Sequence, residues 1–202
     1  MNITFSGLCQ YLGANTPTAR RAILRQQKFP TDGPMLSYIA AEQRIIGHLV
    51  DGGGLNLVFD QSHCREVVEI YAQTSWPLNG LTFLRPSTSQ ERVLINDVEI
   101  SVKPSLLVRR EDGRVGACKL FFRKPPAEGH PQLEESVAKR MASLLFYYGS
   151  EFNKDDRYTP ELCSIWCVRD GEIIRSTGRL SKLTSDVQAA CAEIRAIWPS
   201  IT

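Results

Sequence analysis

Lys119 is the one cation inside the apolar run Val115-Gly116-Ala117-Cys118-Lys119-Leu120-Phe121-Phe122. Burying an ammonium among such neighbours costs several kcal/mol unless it is paired or hydrogen-bonded, so the chain must supply a partner or an opening to solvent. One reading makes Lys119 a working residue on a strand. The other gives it a stem laid along a sheet and a head that reaches water at an edge. A second set of candidates is cationic too. Arg21, Arg25 and Lys28 recur at i, i+4 and i+7, joined by Arg20, with no acidic residue between Thr16 and Pro30. Such a stripe on a helix can contact successive phosphates of a nucleic acid, or be simply a solvated face.

Other chemistries find less support. Cys163 and Cys167 share a face of an extended segment but lie about 13 Å apart, too far for one zinc, and His63-Cys64 has no second pair at ligand spacing. No metal site is expected. There is no Gly-x-Ser-x-Gly elbow, and nothing in the spacing joins Cys118 or Cys64 to His48, His63 or His130. Gly52-Gly53-Gly54 follows a helical pattern and precedes an extended one, the reverse of a phosphate-cradling loop. The six cysteines, Cys9, Cys64, Cys118, Cys163, Cys167 and Cys191, read as reduced, most of them core packing.

The elements that must position Lys119 follow from periodicity. Thr16-Pro17 opens a helix to Lys28, and Leu36, Ile39, Ala40, Ile46, Leu49 and Val50 mark a second from Met35 to about Val50. These two form an N-terminal helical unit over 1–54, packed on a core domain over 55–202. In the core, Leu55–Phe59 and Leu81–Leu84 read as short strands, Ser62–Gln73 as a helix and Arg85–Gln90 as a loop. From Pro131 a helix presents Leu133, Val137, Met141, Leu144, Leu145 and Tyr148. A hairpin of Leu162–Val168 with Glu172–Arg175 and a last helix from near Thr184 complete the chain. The fold class is α/β, a central mixed β-sheet with flanking helices.

Between these lies a long hairpin. Val98, Ile100, Val102, Leu106 and Val108 alternate with polar residues along one strand up to Arg109, and Glu111-Asp112-Gly113 is the turn. A three-residue loop pairs Arg110 with Arg114 and sets Ser105 opposite Lys119. Lys119 and Ala117 then share the polar face of Ser101, Lys103 and Ser105. A two-residue loop would put Lys119 beside Leu106 in the core, which burial physics disfavours.

With Lys103-Pro104-Ser105 in one strand, Ala117-Cys118-Lys119 in the next and a helix and strand following, residues 93 to 168 resemble the PD-(D/E)XK nuclease superfamily, the restriction-endonuclease-like fold. That resemblance implies a metal site in which an Asp after a Pro and an acidic residue two before a Lys meet one or two divalent ions. The Lys helps position or activate the attacking water. Here the Pro is Pro104 and the Lys is Lys119, but Ser105 and Ala117 stand where the carboxylates belong. Hard Mg²⁺ or Mn²⁺ needs anionic oxygens. The resemblance also implies an acidic residue from an upstream helix, for which Glu42 and Glu66 are candidates; either could instead neutralise Lys119.

Composition is permissive. The chain has 202 residues, 43% hydrophobic and 23% charged, enough for one full core, and its net charge of +2 argues neither for nor against nucleic acid. With no signal-like start and no run long enough to span a bilayer, the expectation is a cytoplasmic protein with no membrane partner. The functional expectation is a catalytically degenerate restriction-endonuclease-like protein, without cofactor, that binds DNA or RNA or assembles with a protein partner. Its site residues are Lys119, Ser105 and Glu42, with Arg20, Arg21, Arg25 and Lys28 on nucleic acid; Lys103, Arg109, Arg110, Arg123 and Lys124 add cations around the hairpin. The alternatives are an active Mg²⁺- or Mn²⁺-dependent nuclease drawing carboxylates from Glu42, Glu66 or Glu99, and a pure protein-interaction module.

Overall fold

A computed structural model describes residues 1–30, 37–86, 92–122, 134–152, 155–178 and 180–202. In chain order its elements are β1 (Asn2–Thr4), α1 (Phe5–Gly13), α2 (Pro17–Lys28), α3 (Ile39–Asp51), α4 (Ser62–Gln73), β2 (Leu81–Leu84), β3 (Arg92–Ile95) and β4 (Val98–Ser101). They continue with β5 (Leu106–Arg110), β6 (Val115–Phe121), α5 (Glu135–Tyr147), β7 (Ser164–Cys167), β8 (Glu172–Arg175) and α6 (Leu180–Ile197). Five strands form one sheet in the order β2-β5-β6-β7-β8. The first three are antiparallel, β7 joins β6 in parallel after the crossover through α5, and β8 returns antiparallel. A smaller sheet has the order β1-β4-β3, with β1 parallel to β4. The chain is thus α/β, with mixed sheets and flanking helices.

Both faces of the larger sheet are covered. Leu106, Val108, Cys118, Leu120 and Trp166 point into a cluster with Ile45 of α3 and Val67 of α4. Ala117, Ile165 and Cys167 point into another with Met141 of α5, Ile194 of α6 and Leu8 of α1. This corrects the expected polar face of the hairpin: Ala117 is fully buried, because α5 lies over it. It also places the two expected N-terminal helices, α2 contributing Leu24 to the second cluster and α3 packing in the first.

The hairpin register is the one a three-residue loop requires. Arg110 N–H donates to Arg114 O at 2.9 Å, and the ladder runs from Arg109 opposite Val115 to Leu106 opposite Cys118. Gly113, at φ 85, takes the left-handed position that closes such a loop. Hydrogen bonds from Arg110, with Arg114 beside it, hold the Asp112 carboxyl down to about 2.

Three sequence expectations need correction. The strand expected to run from Val98 to Arg109 is two: β4 turns back on β3 through Asn96 and Asp97, both at positive φ, and belongs to the small sheet. Lys103-Pro104 separates it from β5, since proline brings no N–H to a ladder. Leu55–Phe59 forms no strand, and the first thirteen residues, given no element from the sequence, form β1 and α1. The last helix begins at Leu180 rather than near Thr184. The expected starts at Met35 and Pro131, and most of the 85–90 loop, lie outside the described residues. All six cysteines are buried. No described helix is long and apolar enough to cross a membrane.

Candidate functional site

Strands β5 and β6 separate at Ser105. Continued past Leu106, the ladder would bring Pro104 opposite Leu120, and proline has no N–H to give. Ser105 N–H instead donates to Cys118 O at 2.8 Å, and its hydroxyl accepts from Leu120 N–H at 3.0 Å, replacing a backbone carbonyl. Ser105 is only 3% exposed, so its own proton needs an acceptor. That acceptor is Glu42 Oε1. Lys119 Nζ donates to the same oxygen at 3.0 Å.

Glu42 reaches this point because α3 packs on α4 and β2. It stands in the first turn of α3, where the helix dipole favours a carboxylate, and Gly52 at φ 68 ends the helix. The three residues singled out in the sequence, Glu42, Ser105 and Lys119, are therefore in one hydrogen-bonded cluster. Glu42 accepts from both a buried hydroxyl and an ammonium, with side chains 22% (Glu42) and 27% (Lys119) exposed. Glu42→Ala is expected to cost about 2 kcal/mol and Glu42→Gln, which keeps an acceptor oxygen, less. Urea unfolding measures both, and an unchanged midpoint for Glu42→Ala would contradict the cluster.

A cleft of about 340 Å³ opens over these residues. Arg85, Lys103 and Lys119 supply its cations and Glu42 its one carboxylate among the described lining residues; Arg85 also pairs with Asp51 at 2.5 Å. Among the described residues no three His, Cys, Asp or Glu side chains gather. The Ser105 hydroxyl thus donates to Glu42 and accepts from Leu120 N–H at a position only 3% exposed.

The remaining candidates lie elsewhere. Glu66 holds Arg169 at 2.6 Å and Glu99 holds Arg92 at 2.5 Å; neither lines the cleft. Burial pushes the Cys118 thiol up, as for a packing residue. His48 and His63 bond the carbonyls of Gly53 and Ser37, while His130, Arg123 and Lys124 lie outside the described residues. Thr16 caps α2 through Ala19 N–H with Pro17 in the first turn, as the sequence predicts. Its stripe divides. Arg20 pairs with Glu193 at 2.8 Å and Lys28 donates to Trp198 O and Ile201 O, whereas Arg21 and Arg25 are exposed.

Sequence reasoning missed Arg85 and Gln43 as cleft residues. Arg85 arrives because β2 pairs with β5, Leu84 opposite Leu107, a non-local match that periodicity does not announce. Gln43 follows Glu42 directly and carried no separate signal. Comparison with protein-family models, with curated proteins and with solved structures finds no match to this chain.

Proposed function

We propose that this chain is a catalytically degenerate restriction-endonuclease-like protein that binds nucleic acid through backbone phosphates, alone or in an assembly with partner proteins. The observation that carries this reading is the meeting of Glu42, Ser105 and Lys119 where β5 and β6 separate. The chain order of the β5–β6 hairpin, helix α5 and strand β7 supports the same reading, being the order on which the resemblance rests. With Ser105 where a carboxylate is expected, the described lining of the cleft holds three cations to one carboxylate, Lys119 being paired with Glu42 and Arg85 with Asp51 outside it. Such a cleft attracts phosphate and holds a hard divalent ion poorly.

Fluorescence anisotropy with labelled single- and double-stranded DNA and RNA, titrated with salt in the presence and absence of Mn²⁺, tests the proposal. Binding is expected to weaken steeply with salt while the oligonucleotides stay intact. Neutralising Arg21 and Arg25, the exposed cations of α2, is expected to lower the slope of log K against log salt by about 2. Mn²⁺-dependent cleavage abolished by Lys119→Ala would replace the proposal with an active nuclease. Absence of binding at low salt would leave a protein-interaction module.

A further inference from the structure

On the α5 side of the larger sheet, a second groove of about 540 Å³ runs between α1, α5 and α6, within the range of small-molecule sites. Arg140 of α5 is half-buried in it and Lys182 of α6 stands at its rim, and neither has an ion-pair or hydrogen-bond partner among the described residues. The Arg140 guanidinium lies against the last turn of α1, in space left by a missing side chain: a Cβ on Gly13 would come within 2.8 Å of Nη1. Also lining the groove is Tyr11, 1% exposed, whose hydroxyl faces the Glu193 carboxylate. Of the two carboxylates present, Glu193 is engaged by Arg20, which stacks over the Tyr11 ring at 5.4 Å, and Asp186 is exposed and outside ion-pair reach of Arg140 and Lys182.

A half-buried guanidinium without a partner is unfavourable, and an anion in the groove can answer it. The planar fork of arginine suits two oxygens of a phosphate, and lysine adds a point charge. We propose that this groove binds a phosphate group on Arg140 and Lys182. The phosphate belongs either to a free nucleotide or to the phosphorylated end of a strand. This site is separate from the Glu42 cleft and stands whether or not that cleft is read correctly.

Isothermal titration of the full chain with adenosine monophosphate against adenosine, and with an end-phosphorylated oligonucleotide against its hydroxyl-ended counterpart, tests the proposal. The phosphorylated probes are expected to bind at least about tenfold more tightly, and Arg140→Gln to erase that preference. Gly13→Ala keeps every charge and improves helix propensity, yet pushes the guanidinium aside, so it is expected to weaken the phosphorylated probes several-fold. Lys182→Gln is expected to act similarly, and these two variants decide the matter if Arg140→Gln does not fold. Equal affinity for the mononucleotide and the phosphorylated strand identifies a free phosphate ester as the ligand; binding of the strand alone identifies a strand end. A lack of preference for phosphorylated probes, or a preference unchanged by these substitutions, overturns the assignment.

Discussion

Gly116→Ala is expected to destabilise the protein by about 3 kcal/mol, at the upper end of what overpacking usually costs. A Cβ at this position in β6 would fall 2.4 Å from the backbone carbon and oxygen of Leu162. Backbone cannot rotate out of the way as a side-chain tip can. The segment before β7 is also tied to β6: Val115 N–H donates to Arg157 O, Thr159 N–H donates to Val115 O, and Val115 bridges Tyr158. Retreat of Leu162 would break these bonds, and retreat of β6 would disturb its pairing with β5. Chemical denaturation should show a lower midpoint with an unchanged slope. A midpoint equal to that of the parent chain would mean that the segment is not held against β6.

Ser105→Asp is expected to give the chain a Mn²⁺ dependence that the parent does not have. The Ser105 hydroxyl is bonded to Glu42 Oε1, so a carboxylate at this position would face that of Glu42 with Lys119 as the nearby cation. One of its oxygens could still accept from Leu120 N–H. Without metal, the two like charges should lower stability by about 1 kcal/mol. With metal, two carboxylates on one cleft provide anionic oxygens for a divalent ion. Binding to the folded state alone adds about 2.7 kcal/mol at a hundredfold excess over Kd. The variant's melting temperature should therefore climb with Mn²⁺ concentration while that of the parent stays flat. A variant indifferent to Mn²⁺ would count against the degenerate-nuclease reading of the cleft.

The residues of this cleft were legible in the sequence to an unusual degree because hairpin geometry is local. Once Glu111-Asp112-Gly113 is taken as a three-residue loop, the pairing of Ser105 with Lys119 follows by counting, and the cost of a buried ammonium demands an acid nearby. Glu42 and Glu66 both satisfied that demand on paper. Only the packing of α3 and α4, which depends on contacts far apart in sequence, selects Glu42 for Lys119 and gives Glu66 to Arg169. The small sheet was missed for a related reason. Val98, Ile100, Val102, Leu106 and Val108 share one parity, so periodicity sees one strand, whereas Lys103-Pro104 divides it and the Asn96-Asp97 turn before it pairs its first half with β3. The turn had a signal, two residues tolerant of positive φ between Val93, Ile95 and Val98, Ile100. Strand β1 had almost none, since three residues pairing with a partner near residue 100 leave no local trace.

The two apolar clusters also differ in how much of the chain each must wait for. The buried residues of the cluster around α3 and α4 are drawn from positions 41 to 168, whereas the other joins Ile3 of β1 to Ile201 after α6. As the polypeptide leaves the ribosome, every buried residue of the first is therefore available while the second still lacks its last helix. Until that helix emerges, β1, α1 and α2 have been synthesised without their full complement of packing partners.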